Sequence, residues 1–250
     1  MAYQDLAGKS AIVTGAGGGI GAAIVRRLLA EGCNVLAGDS SVSALDRLAG
    51  ECGGLPLEIL PGDVTAPDCA PRMVERCCAR HGGVDLLVCA AGILGPRAPV
   101  AEAGADTLAQ ILSVNVGGTF LFLRAVLPRM IRQGRGGAVV TLSSVGATRL
   151  RAGFGLYGAS KAAITALSQA AAIENGPHGI RVNVIAPGSI DTPMLSGFAA
   201  SAQAPAAAPT RPIARKGRPE EVAALAAWLL SAQSSYATGA VHTLDGGLSL

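Results

Sequence analysis

The sequence predicts an α/β fold of one domain, residues 1–250, in which a parallel sheet is doubly wound and helices cover both of its faces in three α/β/α layers. Three observations predict it. Short apolar runs alternate with helically spaced apolar residues along nearly the whole chain. A length of 250 residues suits one large α/β domain. Half of the residues are apolar, with 34 glycines and only 15% charged, so the chain can bury a large core and must turn tightly many times.

The elements follow in order. Ser10 to Thr14 is a short apolar run ending in glycines, and Gly21 to Glu31 follows with helical spacing through Ile24, Val25, Leu28 and Leu29. Asn34 to Gly38, closed by Asp39, is a second strand with a helix pattern at Ala44 to Leu48 behind it, completing a βαβ unit. The alternation continues with a strand near Leu57 to Leu60, a helix over Ala70 to Arg80, a strand at Asp85 to Ala90 and a helix over about Thr107 to Gln133. Ala138 to Ser143, Tyr157 to Gly176, Arg181 to Ala186, Glu220 to Ala232 and Ala240 to Leu244 complete the series as strand, helix, strand, helix and strand. One stretch breaks the pattern: Gly197 to Pro212 is low in complexity and interrupted by prolines. Two readings stay open for residues 193–212, a lid over a site or a plain surface insertion.

Composition narrows the partners. The formal charge of +3 comes from scattered Lys and Arg without a dense basic run, which argues against nucleic acid. The amino terminus lacks a charged segment followed by an apolar one, and no later uncharged apolar run approaches membrane-spanning length, so a soluble cytoplasmic protein with no membrane partner is expected. Six cysteines, Cys33, Cys52, Cys69, Cys77, Cys78 and Cys89, show neither C-x-x-C pairing nor a histidine cluster. They are expected to be buried free thiols, with no metal site.

Thr14-Gly15-Ala16-Gly17-Gly18-Gly19-Ile20-Gly21 lies between the first strand and the first helix, where a backbone bare of side chains brings amides and a helix N-terminus up to a pyrophosphate. Glycine-rich stretches also serve tight turns and close packing, so position gives the motif its weight. Asp39, at the end of the second strand, falls where a carboxylate accepts hydrogen bonds from an adenosine ribose and repels a 2′-phosphate. Ser40 and Ser41 follow it with no adjacent base, so the Rossmann-type arrangement points to NAD rather than NADP. Arg26 and Arg27 are either a solvated helix face or long enough to reach the adenosine end. Asp63 and Val64 either frame an adenine or simply start a turn.

Tyr157 and Lys161 are spaced i, i+4 at the start of a helix, so one turn brings an ammonium beside a phenol. A neighbouring cation favours the phenolate and moves the group toward the range of proton exchange with an alcohol or ketone. Ser143 and Ser144 close the preceding strand at its carboxyl edge; only one of the two can face the site, and Ser144 is placed to orient a carbonyl oxygen. Asn115, a poor helix former inside a helix, either hydrogen-bonds in the core or holds a water.

Taken together, T-G-x-x-x-G-x-G at Thr14 to Gly21, Asn115-Val116-x-Gly118, Ser144 and Tyr157-x-x-x-Lys161 resemble the short-chain dehydrogenase/reductase pattern in order and spacing. The likeness spans nearly the whole chain, because Pro187-Gly188-Ser189-Ile190-Asp191-Thr192 resembles that family's nicotinamide-side loop and Asp245-Gly246-Gly247 its carboxyl-terminal signature. The resemblance implies an oxidoreductase acting on a secondary alcohol or ketone through a tetrad of Asn115, Ser144, Tyr157 and Lys161. Tyr157 would exchange the proton and Ser144 would position the substrate oxygen. Lys161 would bind the nicotinamide ribose and depress the phenol pKa, and Asn115 would secure a water linking Lys161 to solvent. It further implies that Pro187, Gly188, Ile190 and Thr192 border the nicotinamide, and that the chain forms a homotetramer through the helices of Thr107 to Gln133 and Tyr157 to Gly176. One departure stands out: the family usually has N-N-A-G where this chain has Cys89-Ala90-Ala91-Gly92. Ala90, Ala91 and Gly92 still let backbone approach the cofactor.

The substrate end should be bounded by Ser144 to Leu156, the segment after Gly188 and the lid candidate at Ser196 to Pro212, which the resemblance would place around the nicotinamide. Gly146, Ala147, Gly153, Phe154, Leu156, Met194 and Leu195 give it an apolar character, while Arg149 and Arg151 either meet an anionic group or face water. Beside an NAD-dependent dehydrogenase, two other readings fit: an NADPH-dependent 3-oxoacyl thioester reductase, and a dinucleotide sensor without turnover.

Overall fold

The strands are short runs whose side chains alternate between two cores. In β1 (Ser10–Thr14) Ala11 and Val13 enter one apolar cluster and Ile12 the other. β2 (Asn34–Asp39) divides Val35 and Ala37 from Leu36, and β4 (Leu86–Cys89) divides Leu86 and Val88 from Leu87 and Cys89. Strands apolar on both faces belong in a parallel sheet covered on both sides. With β3 (Leu57–Pro61), β5 (Gly137–Leu142), β6 (Ile180–Pro187) and β7 (Val241–Leu244) they form one seven-stranded parallel sheet in the order β3-β2-β1-β4-β5-β6-β7. This is the doubly wound arrangement that the sequence predicts. The computed structural model describes residues 3–195 and 212–250, so most of the proposed lid at 193–212 lies outside the described residues.

One layer packs α1 (Gly19–Ala30), α2 (Val42–Glu51) and α7 (Pro219–Leu230) on the sheet. The opposite layer holds α3 (Cys69–His81), α5 (Gly118–Gln133) and α6 (Gly155–Asn175). Local sequence sets their ends. Ser41 caps α2 by accepting from the Ala44 amide (3.3 Å), and Glu221 accepts from the Arg218 amide (2.7 Å) at the start of α7, which has Pro219 in its first turn. Gly134 stops α5 in the left-handed region.

Several boundaries differ from the sequence expectation. α1 starts at Gly19, inside the glycine stretch, so the loop is tighter than a start at Gly21 implies. β5 ends at Leu142, one residue before Ser143. The helix expected over Thr107 to Gln133 is three pieces: α4 (Ala105–Ile111), a π-helical turn (Leu112–Gly117) and α5. In that turn the Gly118 amide reaches back to the Ser113 carbonyl, five residues earlier. The whole span Ala105–Gln133 is long and apolar enough by length and composition to cross a membrane, contrary to the sequence reading. Here it is a covering helix, with Phe122, Leu123, Val126 and Met130 buried in the second core. The cysteines are free as expected, five buried and Cys78 half-buried, and no group able to hold a metal occurs among the described residues.

Strand order places a switch point at β1, which pairs with β2 on one side and β4 on the other; in such sheets ligands bind in the crevice at the carboxyl ends of the strands. Thr14 is level with both Gly38 and Cys89, and Cys89 with Thr141, so the glycine loop, Asp39, Ala90 to Gly92 and Ser144 all emerge along one edge.

Candidate active site

The glycine loop is shaped by contacts that tolerate no side chain. Gly15 has φ +66°, and a Cβ there would lie 2.5 Å from the Ala91 amide nitrogen. A Cβ on Gly21 would lie 2.0 Å from the Gly15 carbonyl oxygen, and one on Gly19 2.9 Å from the Thr192 side chain. Gly18 caps α1 and donates to Gly15 (3.1 Å), and Ile20 packs on the first core. The amides of Gly19, Ile20 and Gly21 find no acceptor among the described residues, which leaves a helix N-terminus with open donors at the switch point.

Asp39 is bound into this loop. Its Oδ2 accepts from the Gly17 amide (2.9 Å) and its Oδ1 from the Ser41 amide (2.9 Å). No Lys or Arg pairs with it among the described residues: Arg26 pairs with Glu51 and Arg27 with Glu31, both at 2.8 Å. The two arginines that a 2′-phosphate could have recruited are thus engaged elsewhere. Asp63 accepts from the Thr65 amide (2.9 Å) as a turn residue, while Val64 is buried against Gly118.

Two loops face this cradle. The Ala90 amide donates to the Thr14 carbonyl (3.2 Å) and the Ala91 amide to the Thr14 hydroxyl (3.4 Å), so Thr14 fastens the segment that departs from N-N-A-G. Gly92 leads toward Asn115 and Lys161, its Cβ position lying 3.3 Å from Lys161 Nζ. Pro187 ends β6, and Gly188 donates to Leu244 (2.9 Å) with no room for a Cβ beside Asp245. Ile190 is buried and bridged to Gly217, and Thr192 reaches Gly19, so this loop lies over the start of α1.

Tyr157 and Lys161 lie in the first turns of α6, Lys161 buried and Tyr157 half-buried. Ser144 accepts from the Gly146 amide (3.0 Å), and its hydroxyl lies near enough to the Tyr157 phenol to favour the phenolate. Ser143 points the other way, donating to the Lys161 carbonyl (2.8 Å), as alternation along the strand requires. Lys161 Nζ donates to the Leu142 carbonyl (2.8 Å) and sits 5.7 Å from the centre of the Tyr157 ring. Burial pulls the ammonium down to about 8. The phenol is pushed up by burial, which outweighs the pull of the Ser144 hydroxyl. The expected depression of the phenol by Lys161 is therefore not the dominant effect in this structure: desolvation penalises both charged forms.

Asn115 sits in the π-helical turn and is fully buried. Its Oδ1 accepts from the Ile93 amide (2.8 Å), and its Nδ2 donates to the Ile93 carbonyl (2.9 Å) and to Ser160 Oγ (2.9 Å). Both amide protons are committed to protein, so the side chain clamps the segment after β4 to α6. Ser160 completes this contact, while Ser143 holds the Lys161 carbonyl and Thr14 the segment after β4. The sequence placed Thr14 in the glycine motif and turned Ser143 away from the site, and left Ser160 without a role. Ser160 could have been found from its place beside Lys161, whereas the Leu142 carbonyl leaves no trace in residue type. Of the two arginines considered for substrate, Arg149 donates to the terminal Leu250 carbonyl (3.1 Å), and Arg151 is exposed.

Comparison with known proteins agrees with this geometry. A family model described as enoyl-(acyl carrier protein) reductase matches residues 15–249. The chain is 37% identical over 246 residues to a cis-4-hydroxycyclohexanecarboxylate dehydrogenase of Sinomonas cyclohexanicum, covering 98% of each chain. It is 39% identical over 245 residues to the 3-oxoacyl-[acyl-carrier-protein] reductase FabG of Thermotoga maritima, covering 97% of this chain and 98% of that one. The crystal structure of a 3-ketoacyl-(acyl-carrier-protein) reductase from Brucella melitensis complexed with NADH superposes with a TM-score of 0.90 at 31% identity, covering 98% and 100% of the two chains. With the motifs, the sheet order and these likenesses in agreement, the chain belongs to the short-chain dehydrogenase/reductase family.

Proposed function

We propose that the protein is an NAD(H)-dependent oxidoreductase that interconverts a secondary alcohol and its ketone, with Tyr157 as general acid/base. The observation that carries this reading is Tyr157, which lies beside Ser144 and borders a cavity, with the glycine cradle emerging along the same carboxyl edge of the sheet. The cradle suits a dinucleotide because Cβ atoms would fill it and its helix N-terminus offers open amides. Gly15, Gly17, Gly18, Gly19, Ile20 and Gly21 would hold the pyrophosphate, Asp39 the adenosine ribose, and Asp63 and Val64 the adenine side. Ala90, Ala91, Gly92, Pro187, Gly188, Ile190 and Thr192 would border the nicotinamide end, with Tyr157 and Lys161 on its ribose. A bound nicotinamide supplies the redox chemistry, and the protein supplies orientation and proton handling.

Ser144 orients the substrate oxygen toward the Tyr157 hydroxyl. A buried phenol with a raised pKa is protonated at neutral pH and so is poised to donate to a ketone oxygen. Lys161, lowered to about 8, can exchange a proton near neutrality and restore the phenol. Asn115 and Ser160 fix the α6 turn that carries both groups.

Asp39 supports NAD over NADP. A carboxylate about 4 Å from a phosphate charge costs roughly 1 to 4 kcal/mol, depending on solvent exposure, which corresponds to about 5- to 1000-fold in affinity. Parallel titrations with NADH and NADPH, followed by nicotinamide fluorescence, test this. Tighter NADH binding is expected; preferential NADPH binding would overturn the assignment and favour the second reading, a 3-oxoacyl thioester reductase, which the likeness to the Thermotoga maritima enzyme supports. A homotetramer is part of the proposal, because Leu112, Phe120 and Ile131 leave apolar surface on the α4–α5 face. Elution at the volume of a single subunit would contradict it.

A further inference from the structure

The cavity beside Tyr157 defines a substrate class. It measures about 150 Å³ and is walled by Leu94, Ile111, Phe154 and Leu156. An apolar cavity of about this volume holds a single benzene-sized ring. The walls are fixed from behind. Ile111 presses on the Gly95 backbone, and the Ala98 amide donates to the Gly153 carbonyl (3.2 Å), strapping the segment after β4 to the loop before α6.

Charge on the lining is one-sided. Besides Tyr157, its polar side chains are Thr107 and Glu102, and no Lys or Arg lines it among the described residues. Glu102 is exposed and forms no ion pair among the described residues. Arg97, on the strap, holds its guanidinium over the Phe154 ring at 5.9 Å and does not line the cavity. Arg149 is turned to the chain terminus. A ligand seated against Tyr157 thus meets apolar side chains, the Thr107 hydroxyl, glycine backbone and one acidic group.

We infer that the substrate is a compact, single-ring secondary alcohol or ketone without a negative charge, and that Glu102 excludes carboxylate-bearing analogues. This rests on the oxidoreductase reading and adds to it a size limit and a charge filter. It also separates this chain from its Sinomonas cyclohexanicum relative, whose name specifies a carboxylate.

The test uses the full-length protein saturated with NADH. Binding of cyclohexanone, 4-oxocyclohexanecarboxamide, 4-oxocyclohexanecarboxylate and the two-ring ketone trans-1-decalone is followed by nicotinamide fluorescence, and turnover is measured on the same samples. The carboxamide and carboxylate rings are nearly isosteric and differ in charge. The carboxamide is expected to bind at least about fivefold more tightly than the carboxylate. Cyclohexanone is expected to bind at least about tenfold more tightly than decalone. Glu102→Gln should bring the amide-to-acid ratio toward one, and Glu102→Lys should invert it. Equal binding of amide and acid, a ratio unmoved in both variants, or tighter binding of decalone would overturn the inference. Ring binding with these preferences but no turnover would instead overturn the oxidoreductase reading and leave the cavity assignment standing.

Discussion

The two halves of the site are built from different materials. On the nucleotide side, around β1, β2 and α1, the working surface is backbone: amides at the start of α1, a loop closed on Ala91, and one carboxylate held by the Gly17 amide. On the reacting side, around β5 and α6, it is a set of side chains held by buried hydrogen bonds: Asn115 to Ser160, Ser143 to the Lys161 carbonyl and Lys161 to the Leu142 carbonyl. A backbone surface is specified by what is missing from the sequence, a side-chain network by what is present and how it packs. The first should fail through steric intrusion and the second through unpaired polar groups.

The largest expected effect lies on the backbone side. Gly15→Val places a branched side chain on the Ala91 amide at a left-handed φ, and should weaken NADH binding by about 100-fold or more. Isothermal titration with NADH measures this; unchanged affinity would show that the loop does not form the cradle.

On the network side, Asn115→Ala leaves the Ile93 amide, the Ile93 carbonyl and the Ser160 hydroxyl without their partner. Each such loss costs about 1 to 3 kcal/mol, so the variant should lose about 3 kcal/mol of stability in urea unfolding. A loss below about 0.5 kcal/mol, the range of ordinary surface substitutions, would mean that the clamp does not hold the site.

A smaller effect separates specificity from binding. Asp39→Asn removes the charge and keeps one of the two acceptor oxygens, so the NADH-to-NADPH affinity ratio should fall about tenfold, while the Gly17 or Ser41 amide that loses its acceptor also weakens NADH binding somewhat. An unchanged ratio would place the discrimination elsewhere.

A last effect, read as stability against pH, concerns the core beneath both halves. Burial pushes Cys33, Cys77 and Cys89 up from 9.0 to about 12, so between those values the unfolded chain has released protons that the folded chain retains, and stability falls as pH rises. Lys161, lowered from 10.5 to about 8, acts in the opposite sense between those values, because the folded chain there holds fewer protons than the unfolded one. Three thiols outnumber one amine, and each group contributes at most about 1.4 kcal/mol per pH unit. The urea midpoint under reducing conditions should therefore drop between pH 9 and 10.5. A rising midpoint would mean that the thiols are less buried than the lysine.

This contrast also explains what the sequence made legible. The order of strands and helices could be read because the central strands are apolar on both faces and the helices keep an apolar stripe, and the glycines at Gly15, Gly17 and Gly21 stand where contacts forbid a Cβ. Asp39 was identifiable by its place at the end of a strand. The π-helical turn at Leu112–Gly117 was not, because one inserted residue barely shifts the apolar spacing and no Pro marks it. Its cause is tertiary: it accompanies Asn115 reaching both Ile93 and Ser160. The phenol also went against expectation, since spacing reveals the neighbouring lysine but not the burial that raises Tyr157 and lowers Lys161. The cavity walls come from Leu94, Ile111 and Phe154, which are distant in sequence, and only Phe154 and Leu156 among its larger apolar residues were anticipated.

The central claim is that the backbone half binds and the Ser144–Tyr157 half reacts. The most direct test is Tyr157→Phe, with NADH affinity and single-turnover ketone reduction measured on one preparation. The account predicts an NADH dissociation constant within about twofold of the parent and a rate reduced by about 10² to 10⁴, the usual contribution of a positioned acid. Normal NADH binding with full turnover would contradict it, because the proton would then have to come from a group other than Tyr157.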